Sequence, residues 1–308
     1  MSANRDNRRL FSGRISLKSF TTRAEQAATQ SMSATRSSLA SVPETVPFLG
    51  RQSEVTRLQE AIRKRASLLI WGDSGSGKSA LVRRAISQMP EHIRRGCLCA
   101  RGVGSPQDVL RNIAEGLAED PLFRTKFQAE TGYGASFSHW VKAQTSLRLR
   151  GLLYRAAGAR EYWIFLEDAA PMSHLLARIV KELMWNRKTP VYAIAPGWTY
   201  TELGHGAPLY WNDLLRLHIG GLPVAAARKL MEFAIGQFGL SKFDLQGFRE
   251  DIIAFSGMLP GAIVRMCGAA GDSRYHFEGR IKTKLLHVDY LVNHCHGPQG
   301  ARVSGRVT

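Results

Sequence analysis

The stretch from Ser67 to Leu81, SLLIWGDSGSGKSAL, decides the fold of this chain. The four apolar residues 68–71 are typical of a buried strand, and the segment ALVRRAISQM that follows has the apolar spacing of a helix. Between them, residues 72–79 fit the pattern G-x-x-x-x-G-K-[ST] of a phosphate-binding loop. A glycine-rich turn that merely joins strand to helix is the structural alternative. We predict that a nucleoside triphosphate binds here.

The residue types of this loop suit that chemistry. Glycines let successive backbone N–H groups point at phosphate oxygens, and the start of the following helix adds its own N–H groups. Lys78 would contact the terminal phosphates, and the Ser79 hydroxyl would bind Mg²⁺. The predicted nucleotide-binding residues of this stretch are Gly72, Asp73, Ser74, Gly75, Ser76, Gly77, Lys78, Ser79 and Ala80.

A second informative stretch, YWIFLED, spans residues 162–168. Its apolar residues are typical of a central parallel strand, which delivers two acids to the sheet edge where ligands bind in open α/β folds. We assign Glu167 to the metal and Asp168 to the attacking water, and the reverse assignment stays open. The alternative is an acid pair that satisfies the next helix terminus. With Lys78, these two acids are the predicted catalytic residues.

The order of strands and helices predicts the domain organisation. Strand and helix patterns alternate up to residue 222, which calls for a parallel sheet with helices on both faces in an α/β core at residues 43–222. Helical patterns without strands between them then predict a smaller lid at residues 223–296, all-helical or with a winged-helix element. Residues 1–42, rich in Ser, Thr and Arg, are expected to form a disordered basic arm, and 297–308 a disordered tail.

Composition narrows the class of partner. The 308 residues include 42 Lys and Arg against 25 Asp and Glu, a net charge of +17. This balance favours an anionic partner such as nucleic acid, but it also fits a generally basic set of cellular proteins. No apolar run is long enough to cross a bilayer, so we expect a soluble, cytoplasmic protein without membrane contact. The cysteines lack metal-ligand spacing and are expected to be reduced thiols.

Four segments together resemble the AAA+ class of ATPases: Phe48-Leu49-Gly50-Arg51-x-x-Glu54, the phosphate loop, the acid-bearing strand and SGMLPGA at 256–262. Within that class, residues 46–292 are most similar to the STAND group (NB-ARC-like) and to bacterial transposition-regulator ATPases. The resemblance implies ATP with Mg²⁺ as the nucleotide. It also implies a base pocket that includes Phe48, Leu49 and Arg51, and a lid contact from Pro260.

Two departures from this family pattern concern hydrolysis. The family carries a polar sensor at the end of the strand that follows the acid-bearing strand. This chain reads Ala195-Pro196-Gly197-Trp198-Thr199 there, with Thr199 as the nearest polar residue. Arg216 is a candidate arginine finger or simply a solvent-facing residue, and Arg265 is a candidate second sensor. Without these groups we expect slow hydrolysis.

Three functions remain open at this stage. The first is an ATP-driven conformational switch that hydrolyses slowly and engages an unknown protein partner or assembles with itself. The second is a DNA-associated ATPase regulator of the transposition or replication type, and the third is a module that binds nucleotide without hydrolysis. The arginines 148, 150, 155 and 160 form either a basic stripe for nucleic acid or a solvated helix face. The tryptophans 140, 163 and 185 are expected to face the core.

Overall fold

The computed structural model describes residues 46–101, 105–120, 123, 125, 137–186 and 188–295, with residues 294 and 295 described by their backbone alone. The predicted arm at 1–42 and the predicted tail at 297–308 lie outside the described residues.

Five parallel strands form the central sheet. They are β1 (Leu68–Trp71), β2 (Cys97–Arg101), β3 (Trp163–Glu167), β4 (Val191–Ala195) and β5 (Arg216–His218), in the order β2-β3-β4-β1-β5. β3 and β4 are buried along their whole length, as expected of strands covered on both faces. The prediction of a parallel α/β sheet is confirmed, and β5 lies at its edge as its alternating pattern indicates.

Helices connect these strands because parallel neighbours need crossover connections. The first part of the chain contains α1 (Gln52–Arg63), α2 (Lys78–Ser87), α3 (Glu91–Arg95), α4 (Pro106–Leu117), α5 (Phe137–Ala143), α6 (Ser146–Ala159), α7 (His174–Lys181), a π-helical turn (Glu182–Asn186) and α8 (Tyr200–Leu203). Several begin at side-chain caps. Ser105, for example, forms a reciprocal capping box with Asp108 at the start of α4.

The C-terminal part is helical, as predicted, with one small correction. Its helices are α9 (Val224–Gln237), α10 (Phe248–Phe255), α11 (Pro260–Ala269) and α12 (Thr283–Cys295). The prediction that no strands separate them is wrong, because β6 (His276–Phe277) pairs antiparallel with β7 (Arg280–Ile281). The two residues between these strands, Glu278 and Gly279, both have positive φ (47° and 75°), which suits a tight two-residue hairpin turn.

Buried apolar residues of the described chain form two clusters. One surrounds the sheet and includes Leu110 of α4, Ile164 of β3 and Val191 of β4. The other begins in chain order at Leu222 and is formed by the helical part, with Met266 of α11 among its members. The division into domains at residues 43–222 and 223–296 stays a proposal. None of the helices that the structure describes is both long and apolar enough to cross a membrane.

Candidate nucleotide-binding site

The phosphate loop lies where the sequence predicts it, between the end of β1 and the start of α2. Gly72, Gly75 and Gly77 have φ values of 150°, 82° and 94°, which larger side chains rarely adopt. A Cβ atom at Gly72 would lie 2.1 Å from the carbonyl oxygen of Ile219, so the close approach of the two backbones requires glycine.

Lys78 curls back over this loop. Its Nζ donates hydrogen bonds to the carbonyl oxygens of Gly72, at 2.6 Å, and Asp73, at 2.9 Å. Burial lowers the pKa of Lys78, while the negative charges of Asp73 and Asp168 oppose that change. The ammonium group therefore lies inside the loop, and among the described residues its hydrogen-bond acceptors are backbone oxygens.

The loop also contains a buried polar group that fits a bound anion. The Oγ atom of Ser76 is buried and has no hydrogen-bond partner within the part of the chain that the structure describes. A buried hydroxyl without a partner costs free energy, and a phosphate oxygen would offer it an acceptor. Ser79, in the first turn of α2, and Glu167 carry the hard oxygen donors that Mg²⁺ prefers. The residues present thus fit a nucleotide with its metal ion.

The two predicted acids lie at the carboxyl end of β3 in different surroundings. Glu167, the last strand residue, is buried, and its carboxylate oxygen lies 4.0 Å from Nε of Arg101 on the neighbouring strand β2. Asp168 is exposed and has a left-handed φ of 52°. The negative charge of Asp168 opposes the fall that burial causes in the pKa of Lys78, which links this acid electrostatically to the phosphate loop.

The side chain of Arg51 is hydrogen-bonded to the phosphate loop. Its guanidinium donates to Oε1 of Glu54 at 3.1 Å, to the carbonyl oxygen of Ser76 at 3.3 Å and to that of Gly220. These contacts join α1, the phosphate loop and the segment after β5. Leu49 and Phe48 are half-buried, and Leu49 packs against the cluster of the helical part. That all three residues contact a base stays a prediction.

The helical part contacts the phosphate loop directly, which sequence reasoning only partly anticipated. The backbone N–H of Gly261, in the first turn of α11, donates to the carbonyl oxygen of Gly75 at 2.9 Å. Pro260 Cγ lies 3.6 Å from where a Cβ of Gly77 would be. Arg265 Nη2 lies 3.1 Å from the corresponding point at Gly75. Pro260 was predicted here; Gly261 was missed, although a glycine directly after that proline was a usable signal.

A short connecting segment, residues 219–222, joins the loop to this contact. Its first residue, Ile219, donates its N–H to the carbonyl oxygen of Trp71 at 2.8 Å. Its last, Leu222, donates to the carbonyl oxygen of Met258 at 2.9 Å. The segment is thereby bonded to the sheet at one end and to the turn before α11 at the other.

The two family-derived candidates near the ends of β4 and β5 are bonded to neighbouring residues of their own segments. The Oγ1 of Thr199 bonds to the carboxylate of Glu202 at 2.7 Å, within the capping box of α8. Arg216 donates from Nε to the carbonyl oxygen of Tyr210 at 2.6 Å, and from Nη2 to that of Trp211 at 2.9 Å. Its third nitrogen pairs with Asp213 at 3.0 Å, so all three guanidinium nitrogens are engaged locally.

The remaining sequence predictions have mixed outcomes. Within the described chain no group of three His, Cys, Asp or Glu could hold a metal ion. Cys97, Cys99 and Cys267 are free thiols, and burial raises the pKa of Cys97 to about 12. Trp163 is buried as expected. The prediction that Trp185 faces the core is wrong, because this residue, in the π-helical turn, is 54% exposed with Lys181 over its ring.

Comparison with known proteins agrees with this geometry. Residues 47–190 match the family model of the AAA ATPase domain. A search of curated proteins found no match. The chain is similar to the solved structure of the Walker-type ATPase Paby2304 of Pyrococcus abyssi, with a TM-score of 0.53 and 15% identity, covering 86% of this chain and 80% of that one. The chain thus has the α/β fold of P-loop NTPases, and its segment 47–190 is similar to AAA ATPase domains, which together support a nucleotide-binding ATPase.

Proposed function

We propose that this protein is a Mg²⁺-dependent ATPase that hydrolyses slowly and works as a nucleotide-dependent conformational switch. The observation that carries the proposal is the hydrogen bond from Gly261 of α11 to Gly75 of the phosphate loop. It couples the helical part to the loop that would hold the phosphates.

Two helix N-termini support this proposal because both lie beside the same loop. α2 begins at Lys78, directly after the loop, and α11 begins at Pro260, against it. The first N–H groups of a helix lack partners within the helix and favour anions. A bound phosphate would compete with the Gly75 carbonyl for the N–H of Gly261. ATP binding should therefore change the contact between the helical part and the loop.

The side chains divide the chemistry between them. Lys78 and Arg265 bring positive charge to the phosphates, and Ser79 and Glu167 hold the metal. The metal ion, when bound, neutralises the charge that develops on the phosphate oxygens. Asp168 is exposed at the strand end, where it can orient a water molecule and accept its proton. Because Thr199 and Arg216 are engaged elsewhere, a sensor and an arginine finger are absent from this assignment, and slow hydrolysis follows.

Small-angle scattering and sizing of the purified protein without nucleotide, with ADP and with a non-hydrolysable ATP analogue test the switch. We expect the ATP analogue to change the radius of gyration. Gly261→Ala should alter the nucleotide-free state, since a Cβ there would lie 2.9 Å from the Cα of Gly75. Lys78→Ala is the control that should not respond to nucleotide. An identical profile in all three states would refute the switch.

A DNA-associated regulator is the second candidate, and one specific observation favours it: a basic groove on α5 and α6, described below. The partner of the switch, whether another protein or a second copy of this chain, and its cytoplasmic location stay predictions.

A further inference from the structure

A concave surface lies on α5 and α6, which precede β3 in the chain. It has a volume of about 720 Å³ and is lined by Trp140, Arg148, Gly151, Tyr154, Arg155 and Gly158. None of these residues belongs to the nucleotide site, and we refer to this surface as the α6 groove.

The two helices that form the α6 groove are basic. Residues 137–160 include five basic residues, Lys142, Arg148, Arg150, Arg155 and Arg160, and no Asp or Glu. α4 packs against both helices, and its acids Asp108 and Glu115 are engaged by Arg111 and Ser138. Arg160 is ion-paired with Asp120, so Lys142, Arg148, Arg150 and Arg155 remain as basic side chains without an ion pair among the described residues.

Two of these arginines are placed to contact phosphates of one extended anionic chain. Arg148 and Arg155 are exposed, and seven residues of helix separate them by about 10 Å along the axis. Arg155 makes no ion pair or hydrogen bond with the described residues, and Arg148 makes one long contact, 3.4 Å, with Gln144. Their guanidinium groups thus remain accessible to an anionic chain.

The rest of the lining suits bases. Trp140 and Tyr154 pack partly against the core and line the groove, and the ring of Trp140 also stacks on Phe137 with 5.8 Å between the ring centroids. At Gly151 and Gly158, apart from the helix's own backbone, no atom of the described residues lies within 4 Å of the position that a Cβ would take, so a ligand can approach the helix backbone closely. Aromatic surface between basic side chains is the arrangement that binds unpaired bases and their phosphates.

We infer that the α6 groove binds single-stranded nucleic acid, with Arg148 and Arg155 on the phosphates and Trp140 and Tyr154 against the bases. A lipid surface or an acidic peptide would match the charge but would leave the aromatic lining without a role. The inference does not depend on ATP binding, since it uses no residue of the phosphate loop.

Two substitutions at one position test it in the full-length protein. Gly151 lies in a helix with open space around it, so Gly151→Glu and Gly151→Lys should both fold. We expect Gly151→Glu to weaken binding of a fluorescent oligothymidylate of about 12 nucleotides by roughly tenfold or more in anisotropy titrations, and Gly151→Lys to preserve or tighten it. ATP binding should be equal in both variants. Equal oligonucleotide affinity of the two would overturn the inference.

A second comparison separates local charge from net charge. Arg148→Ala/Arg155→Ala should weaken binding and flatten its salt dependence, whereas the control Arg94→Ala/Arg95→Ala, which removes the same charge from exposed positions of α3, should not. Tyr154→Leu keeps apolar bulk but removes the ring, and it should also weaken binding. If both double variants lose the same oligonucleotide affinity, the effect comes from net charge alone and the inference is wrong. If a duplex binds as tightly as the single strand, the assignment to single-stranded nucleic acid is wrong.

Discussion

The carboxyl edge of the sheet contains two regions built from similar residue types but used differently. At the ends of β1 and β3, the polar groups are turned toward a shared space: Lys78 lies inside the loop and Asp168 is exposed. At the ends of β4 and β5, Thr199 and Arg216 are bonded to their own neighbours. Position at this edge does not by itself make a residue functional, because the hydrogen-bond partners decide what it can reach.

Removing the charge of Lys78, in the region at the ends of β1 and β3, should have the largest effect on ATP binding. Truncating a buried charge that pairs with a ligand costs about 2–5 kcal/mol of binding. Lys78→Ala should therefore abolish measurable ATP binding in calorimetric titrations. Arg84→Ala, an exposed arginine on the same helix, is the matched control and should bind ATP normally. ATP binding by Lys78→Ala at unchanged affinity would contradict the proposed role.

Substitutions of Glu167 and Asp168 should lower ATP hydrolysis more than ATP binding. Because a positioned general base contributes about 10²–10⁴-fold, we expect Asp168→Asn to lower steady-state turnover by about that factor while retaining ATP binding. Glu167→Gln should lose turnover through weakened metal binding, with partial recovery at high Mg²⁺. Asp213→Asn, in the second region, is the control. Similar turnover in Asp168→Asn and the unchanged protein would leave the chain a nucleotide-binding module without this catalytic residue.

We expect Arg216 to contribute to the stability of the fold and not to ATP turnover. Arg216→Ala removes the donors that satisfy two backbone carbonyls, so it should lower the free energy of unfolding by about 1–3 kcal/mol in urea titrations, with ATP turnover per folded molecule unchanged. Arg216→Lys should not recover this loss, since an ammonium cannot reproduce the planar set of contacts. A large fall in turnover at normal stability would instead place Arg216 at a neighbouring active site.

The smallest effect is expected at Thr199. Its hydroxyl donates to the carboxylate of Glu202 in the first turn of a helix of four residues, and such a hydrogen bond contributes about 0.5–1.5 kcal/mol. Thr199→Ala should lower the midpoint of thermal unfolding by a few degrees, whereas Thr199→Ser should retain it, and turnover should be unaffected in both. Nucleotide-dependent stabilisation that disappears in Thr199→Ala would show that this residue does sense the ligand.

Those parts of the site that are formed by contiguous sequence motifs can be predicted from the sequence. The phosphate loop and the acid-bearing strand are contiguous motifs, so their elements and relative order follow from the residues alone. The contacts of Arg51, Gly261 and Arg216 do not follow from the residues alone. Arg51 and Gly261 bond to carbonyl oxygens of segments that are distant in sequence. Arg216 bonds to carbonyl oxygens of a nearby turn, and the pattern of side chains does not encode the shape of that turn. The β6–β7 hairpin was missed because strands of two residues are too short to show alternation, although Glu278-Gly279 is a recognisable turn.

The segment 219–222 has a mechanical consequence. A chain of four residues anchored by backbone bonds to Trp71 and to Met258 has little slack, so it transmits displacement instead of absorbing it. Arg51 braces the same segment at Gly220, which makes the linkage stiffer on the side of the nucleotide. A displacement of the end of β1 should therefore displace the helical part as well.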